Sequence, residues 1–298
     1  RGNAFLARHR GEPVARAFRN EWLAALAKRS EWQALLANWD VGIEDANLRC
    51  LQLQARQALG RMDAAWTSDA QALWRGTGKS LPASCDAPLA QLATQGGLDD
   101  GLRWERFDKA VADGQGGVMR AIARGMGADA AAQANTYATY NDAPTADVAA
   151  WPKTARSRLV ASWALARLAK ASPDQAEALL PGVAQALGFN ADERARVLYP
   201  IALWTVASYG PASARRLAAV PESAYDASLH EWRVREALAR SDWRSALAAI
   251  RKMDDAQRSD SRWTYLAART SELTGDAAGA KTLYRQAAGK SDFHGFLA

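Results

Sequence analysis

Few side chains in this sequence have the type and spacing that covalent chemistry requires. The histidines His9, His230 and His294 are widely separated, and none has a Cys, His or carboxylate partner at metal-ligand spacing, so no zinc site is expected. A Cys–His nucleophilic pair is not indicated either. The run Gly76-Thr77-Gly78-Lys79-Ser80 ends like a phosphate-cradling loop, but no strand precedes it and its glycine spacing is wrong, so it reads as a plain loop. Spacing therefore assigns no catalytic residue, no cofactor and no metal. The two cysteines leave two readings open, a single disulfide or two buried thiols. Cys50 lies in the apolar helical stretch Leu48-Arg49-Cys50-Leu51, and Cys85 follows the loop from Gly78 to Ser84. A bridge would staple that loop back to the preceding helix pair, which suits an oxidising compartment.

The elements that must position these residues are helices. Ala takes 68 of the 298 positions and Trp takes 12, recurring in short amphipathic segments with no strand-like block between them. Arg240-Ser241-Asp242-Trp243 resembles Thr274-Gly275-Asp276-Ala277, and the turn residues Ser241 and Gly275 lie 34 positions apart. That is the period of tetratricopeptide-type helix pairs. Related junctions stand at Arg29-Ser30-Glu31-Trp32 and Leu59-Gly60-Arg61-Met62. Periodicity predicts helices over 13–28, 44–59, 62–74, 88–94, 98–112, 118–125 and 128–140. It predicts others over 154–171, 174–187, 190–208, 228–239, 243–252, 261–273 and 276–288, with Ser30, Ser172 and Asn190 as N-caps. Connections of two to five residues force antiparallel neighbours. The expected class is all-α, a right-handed α-superhelix of antiparallel helix pairs, read as one continuous module. Small Ala side chains let helix axes approach while Leu and Trp fill the layers, so the Trp residues are mostly core by default.

Composition narrows the partners. A hydrophobic share of 49% and a charged share of 23% describe a water-soluble, well-cored chain. No window approaches 18 consecutive apolar residues, so no membrane span is expected, and the first residues lack the apolar core of a secretory signal. The net charge of +6 falls entirely in residues 151–298, which hold 21 basic and 15 acidic side chains against 17 of each before them. Those charges are interspersed, as in Arg233-Val234-Arg235-Glu236, and form no basic stripe, which argues against nucleic acid.

Several stretches carry a family resemblance. Phe5-Leu6-Ala7-Arg8, Pro13-Val14-Ala15-Arg16 and the run from Trp22 to Trp32 resemble the helical region of soluble lytic murein transglycosylases. So do Ala65-Trp66, Ala72-Leu73-Trp74, Thr77-Gly78-Lys79-Ser80, Pro82 and Ala83-Ser84-Cys85-Asp86, with Arg75-Gly76 making the loop one residue longer. Trp263 to Arg269 and Phe293 to Ala298 resemble the last repeat and the entry to that family's linker domain. The resemblance implies an α-superhelical domain over 1–288 and the start of a linker domain over 289–298. It further implies a periplasmic parent, a Cys50–Cys85 disulfide, and a separate lysozyme-like domain that cleaves MurNAc–GlcNAc bonds to leave a 1,6-anhydro end. That catalytic domain is expected to be absent here. The family's Gln-Glu-Ser signature is matched only by Pro221-Glu222-Ser223, with Pro in place of Gln and no Gly-Leu-Met-Gln run after it, so Glu222 reads as a decoy. The implied role is a non-catalytic scaffold touching peptidoglycan glycan strands and its own linker and catalytic domains. The alternative is a free-standing tetratricopeptide-like adaptor for a protein partner. An adaptor would be expected to close on a polar helix, whereas the sequence ends on apolar Phe293, Phe296 and Leu297.

Overall fold

The computed structural model describes residues 2–298, and every regular element among them is helical. The helices group into two compact units, one ending at Asp142 and one running from Ala143 to Ala298. The division falls at Asp142-Ala143-Pro144, where proline disfavours helix in the residue before it.

The first unit contains α1 (Gly2–Arg8), α2 (Pro13–Lys28), α3 (Trp32–Ala37), α4 (Ala46–Ala58), α5 (Ala64–Arg75), α6 (Asp86–Thr94), α7 (Asp100–Ala112), α8 (Gly116–Ala123) and α9 (Ala128–Asp142). Aspartates start three of them. Asp45, Asp63 and Asp99 accept from the backbone N–H groups of Leu48, Trp66 and Leu102 at 2.8–2.9 Å, satisfying donors that a helix start leaves orphaned. Leu23, Leu26, Leu35 and Leu48 form one core cluster between α2, α3 and α4. Cys50, Leu53, Trp66, Leu73, Cys85 and Leu92 form the next, between α4, α5 and α6.

The second unit contains α10 (Ala155–Ala171), α11 (Pro173–Leu187), α12 (Ala191–Ala207), α13 (Ser213–Ala219), α14 (Ala227–Ala239), α15 (Trp243–Arg251), α16 (Asp255–Arg258), α17 (Ser261–Leu273), α18 (Ala277–Ala288) and α19 (Phe293–Leu297). Asn190 and Glu193 make a reciprocal capping box at the start of α12. Helices α10 and α12 run side by side in the same direction. Arg158 donates to Glu193 at 3.0 Å, and one turn further along Arg196 donates to Ser162 at 2.7 Å. These offsets of 35 and 34 residues are the repeat period expressed in side-chain bonds. The ion cluster of Arg216 with Glu177 and Asp174 ties α13 to α11, while Arg216 also donates to Thr205 of α12 at 2.7 Å. Trp263, only 2% exposed, packs with Val234, Ile250 and Met253 in the core of α14, α15 and α17.

The helix boundaries follow the periodicity to within about two residues, and the class is the all-α stack of helix pairs that the repeat implies. Two caps differ. Ser30 does not cap α3; it sits at φ +57° and closes the end of α2, its N–H bonding the Ala27 carbonyl while Glu31 N–H bonds that of Leu26. The Ser172 side chain makes no cap bond, although Pro173 does open α11. Helices α1, α16 and α19 span seven, four and five residues, too short for periodicity to reveal.

Candidate functional site

Glu222 opens a single 3-10 turn between α13 and α14. Its carboxylate accepts from Lys252 Nζ at 2.6 Å and stands 3.0 Å from the Arg233 guanidinium. With Arg233, Glu236, Arg240, Ser245 and Lys252 it lines a cleft of about 400 Å³. Burial pushes the Glu222 carboxyl up, but hydrogen bonds from Lys252 and Arg233 and their positive charges outweigh it and hold it below the usual range. The side chain is 56% exposed. A general acid needs a shielded carboxyl that keeps its proton near neutral pH. Glu222 has the opposite arrangement: exposed, ionised and clamped between two cations.

The histidines stay apart. His9 pairs with Glu12 at 3.1 Å, His230 packs on the Tyr225 ring with centroids 5.0 Å apart, and His294 lies beside Tyr265. Burial, with the nearby Arg233 charge, lowers the His230 pKa. Among the described residues no three His, Cys, Asp or Glu side chains gather as metal ligands. A cleft of about 700 Å³ near the start of the chain is lined by Arg10, Arg16, Arg19, Trp39 and Asp40, and of its three arginines Arg19 pairs with Asp40.

The loop after α5 is built for packing. A side chain at Gly78 would collide with the backbone of Lys109 and Ala110 on α7, so only glycine lets the loop lie this close. Arg106 of α7 donates to the Lys79 carbonyl at 3.0 Å and lies 4.3 Å over the Trp74 ring, while Trp74 Nε1 donates to the Leu102 carbonyl. At the loop's far end Gln54 donates to the Ser84 carbonyl, and Ser84 donates to Asn47 at 2.7 Å. Buried Cys50 and Cys85 are joined there, with their Cα atoms 4.8 Å apart. The Gly-Lys-Ser run thus packs against α7.

Aromatic rings paired with cations recur along the second unit. Arg196 lies 5.1 Å over Trp163, Lys170 lies 5.3 Å over Trp204, and Arg235 lies 5.1 Å over Trp232. Tyr209, just past α12, meets Trp232 edge-on with centroids 6.3 Å apart. Such half-open indoles beside guanidinium or ammonium groups can stack on a ring face and hold a carboxylate at once. From sequence the Trp residues read as mostly core, and none of these residues is assigned to a site. The signal was present in the 33- and 34-residue offsets of Trp163 to Arg196 and Lys170 to Trp204, which mark ladder partners on successive layers.

No family model matches the chain. It is 27% identical over 260 residues to the soluble lytic murein transglycosylase of Salmonella typhimurium, a match covering 85% of this chain and 40% of that protein. It is 27% identical over 293 residues to the Escherichia coli protein of the same name, covering 96% of this chain and 45% of that one. The solved structure of an inactive mutant of lytic transglycosylase Slt from Pseudomonas aeruginosa superposes with a TM-score of 0.74 at 26% identity, covering 99% of this chain and 48% of that one. The 70-kDa soluble lytic transglycosylase from Escherichia coli shares the fold at a TM-score of 0.81 and 23% identity, with the same coverage. The chain thus spans less than half the length of the relatives it matches. In sequence over most of its length, and in fold, the chain is a homologue of the soluble lytic murein transglycosylases.

Proposed function

We propose that the chain is a non-catalytic scaffold of a lytic murein transglycosylase that contacts peptidoglycan strands. In the parent protein a separate domain would cleave MurNAc–GlcNAc bonds to release 1,6-anhydro-muropeptides, acting in the periplasm. Residues 1–288 would form the α-superhelical domain and 289–298 the start of the linker. The observation that carries the reading is the state of Glu222. It is the one residue resembling the family's catalytic glutamate, and it is clamped by Lys252 and Arg233 rather than shielded. The homology supplies the substrate class, and the ring–cation pairs of the second unit supply groups suited to sugars and carboxylates. The buried Cys50–Cys85 bridge would serve as the staple of an oxidising compartment.

Incubating the chain with isolated peptidoglycan sacculi tests this, with co-sedimentation and soluble 1,6-anhydro products both measured. Sedimentation without product is the expected result. Product that disappears in Glu222→Gln would make the chain itself an enzyme. Failure to sediment would turn the reading toward a protein-binding adaptor.

A further inference from the structure

Among the described residues, eight helix ends close the same way. After α2, α4, α6, α7, α11, α12, α14 and α17 one residue takes the left-handed conformation, and the next N–H bonds a carbonyl five residues back. The left-handed residues are Ser30, Gly60, Gly96, Gly114, Gly188, Tyr209, Ser241 and Gly275. Glycine adopts that conformation freely, and a small polar residue tolerates it better than a bulky ring does. Tyr209, at φ +53°, is the bulky exception among them. Its turn is ordinary in every other respect, Gly210 N–H bonding the Thr205 carbonyl at 2.9 Å. Burial does not reward the tyrosine either, because 70% of it is exposed. A strained, exposed aromatic in a turn made elsewhere from Gly or Ser points to a use for the ring itself.

We propose that Tyr209 and Trp232, with Arg235, form a stacking platform for a carboxylate-bearing glycan strand. The proposal rests on the peptidoglycan-contact reading above and names a place where contact occurs. Trp232 supplies a fixed floor, since it packs against the core around Val206, Leu217 and Leu229. The Tyr209 ring stands edge-on to it at 6.3 Å, making two faces at an angle; the Arg235 charge lies 5.1 Å from the indole and also pairs with Glu231 at 3.0 Å, a partner that an incoming carboxylate would have to share or displace. Sugar C–H faces stack on such rings, and a guanidinium beside them recognises a carboxylate carried on the sugar or its peptide. On the side of α12 facing α10, Trp204 is 38% exposed with Lys170 beside it, so rings and cations flank the same helix end. That charge pattern suits an anionic polymer of sugars.

The variant Tyr209→Gly separates function from structure, because glycine suits the turn. The 298-residue chain and the variant are compared by thermal unfolding, by co-sedimentation with sacculi, and by tryptophan fluorescence titration with soluble, enzymatically released glycan strands. Expected is a melting temperature raised by about 2–4 °C, together with glycan affinity lowered about fivefold or more. Affinity within twofold of the parent would overturn the platform and leave the peptidoglycan-contact reading standing. A variant both weaker in binding and less stable would make Tyr209 a structural residue and overturn the platform. A parent chain that binds neither sacculi nor soluble strands would overturn both.

Discussion

The indole Nε1 of Trp66 donates to the backbone carbonyl of Leu53 at 3.0 Å, joining α5 to the middle of α4 inside the cluster that also holds the cysteines. Trp66 has no exposed surface. Trp66→Ala is expected to cost roughly 3–5 kcal/mol, as any large buried aromatic does. Trp66→Phe keeps most of the volume and loses the bond, for about 1–2 kcal/mol. Urea unfolding of both variants checks the order. Trp263→Ala, in the second unit, is expected to match the first of these values.

Bridging Cys50 and Cys85 closes a loop with a sequence separation of 35. Chain-entropy reasoning gives such a closure about 3–4 kcal/mol of stability. Cys85→Ser, or reduction of the parent chain, is expected to lower the unfolding midpoint accordingly. Intact mass with and without reductant establishes whether the bridge is present in the sample being unfolded.

Gly78 is held against the backbone of α7, where an added methyl has no room. Gly78→Ala is expected to push the loop off Lys109 and cost about 1–3 kcal/mol. Hydrogen exchange should show the loss confined to the loop and the start of α6, with the second unit unchanged.

The carboxyl of Glu177 is held down to about 2 from its ordinary 4.5, first by the hydrogen bond from Arg215 and further by Arg216, against an opposing contribution from burial. A depressed folded-state pKa stabilises the ionised form. The contribution is therefore complete above about pH 5, and it fades as pH falls through 4.5 toward 2. Allowing for solvent screening, it amounts to about 2 kcal/mol. Glu177→Gln is expected to remove this part of the acid sensitivity, seen as a flatter profile of stability against pH between 5 and 3.

Glu222 bridges Arg233 and Lys252 at the surface. Pairs so open to water contribute little, so Glu222→Gln should change stability by less than about 1 kcal/mol. It should also leave the products released from sacculi at background, as in the unchanged chain. Chromatography of the soluble fraction gives the answer.

The fold was legible because the stack repeats itself in sequence. Apolar stripes marked the long helices, and Asp and Asn at their starts became side-chain caps, as at Asp242 and Asn190. Turn residues were harder to assign. Ser30 carries the chemistry of an N-cap and the small size of a left-handed closer, and only the hydrogen bonds at the end of α2 decide between them. The ring–cation pairs were hidden for a different reason. Whether Trp163 or Trp204 lies inside or at the edge depends on which face of α10 and α12 the next layer covers. Local periodicity does not encode that. Glu222 reads as unlike a catalytic acid from its neighbours in sequence, whereas its clamp by Lys252, 30 residues away, is visible only in the structure.

The bonds that tie helix to helix reach short distances along the chain: 35 residues from Arg158 to Glu193, and 42 from Asp174 to Arg216. A polypeptide leaving the ribosome, or threading through a secretion pore, completes each such contact once the following helix pair has emerged. Neither end must wait for the other, and low contact order favours fast closure of each layer. Assembly can therefore proceed in the order of translation, with one unfinished layer exposed at a time.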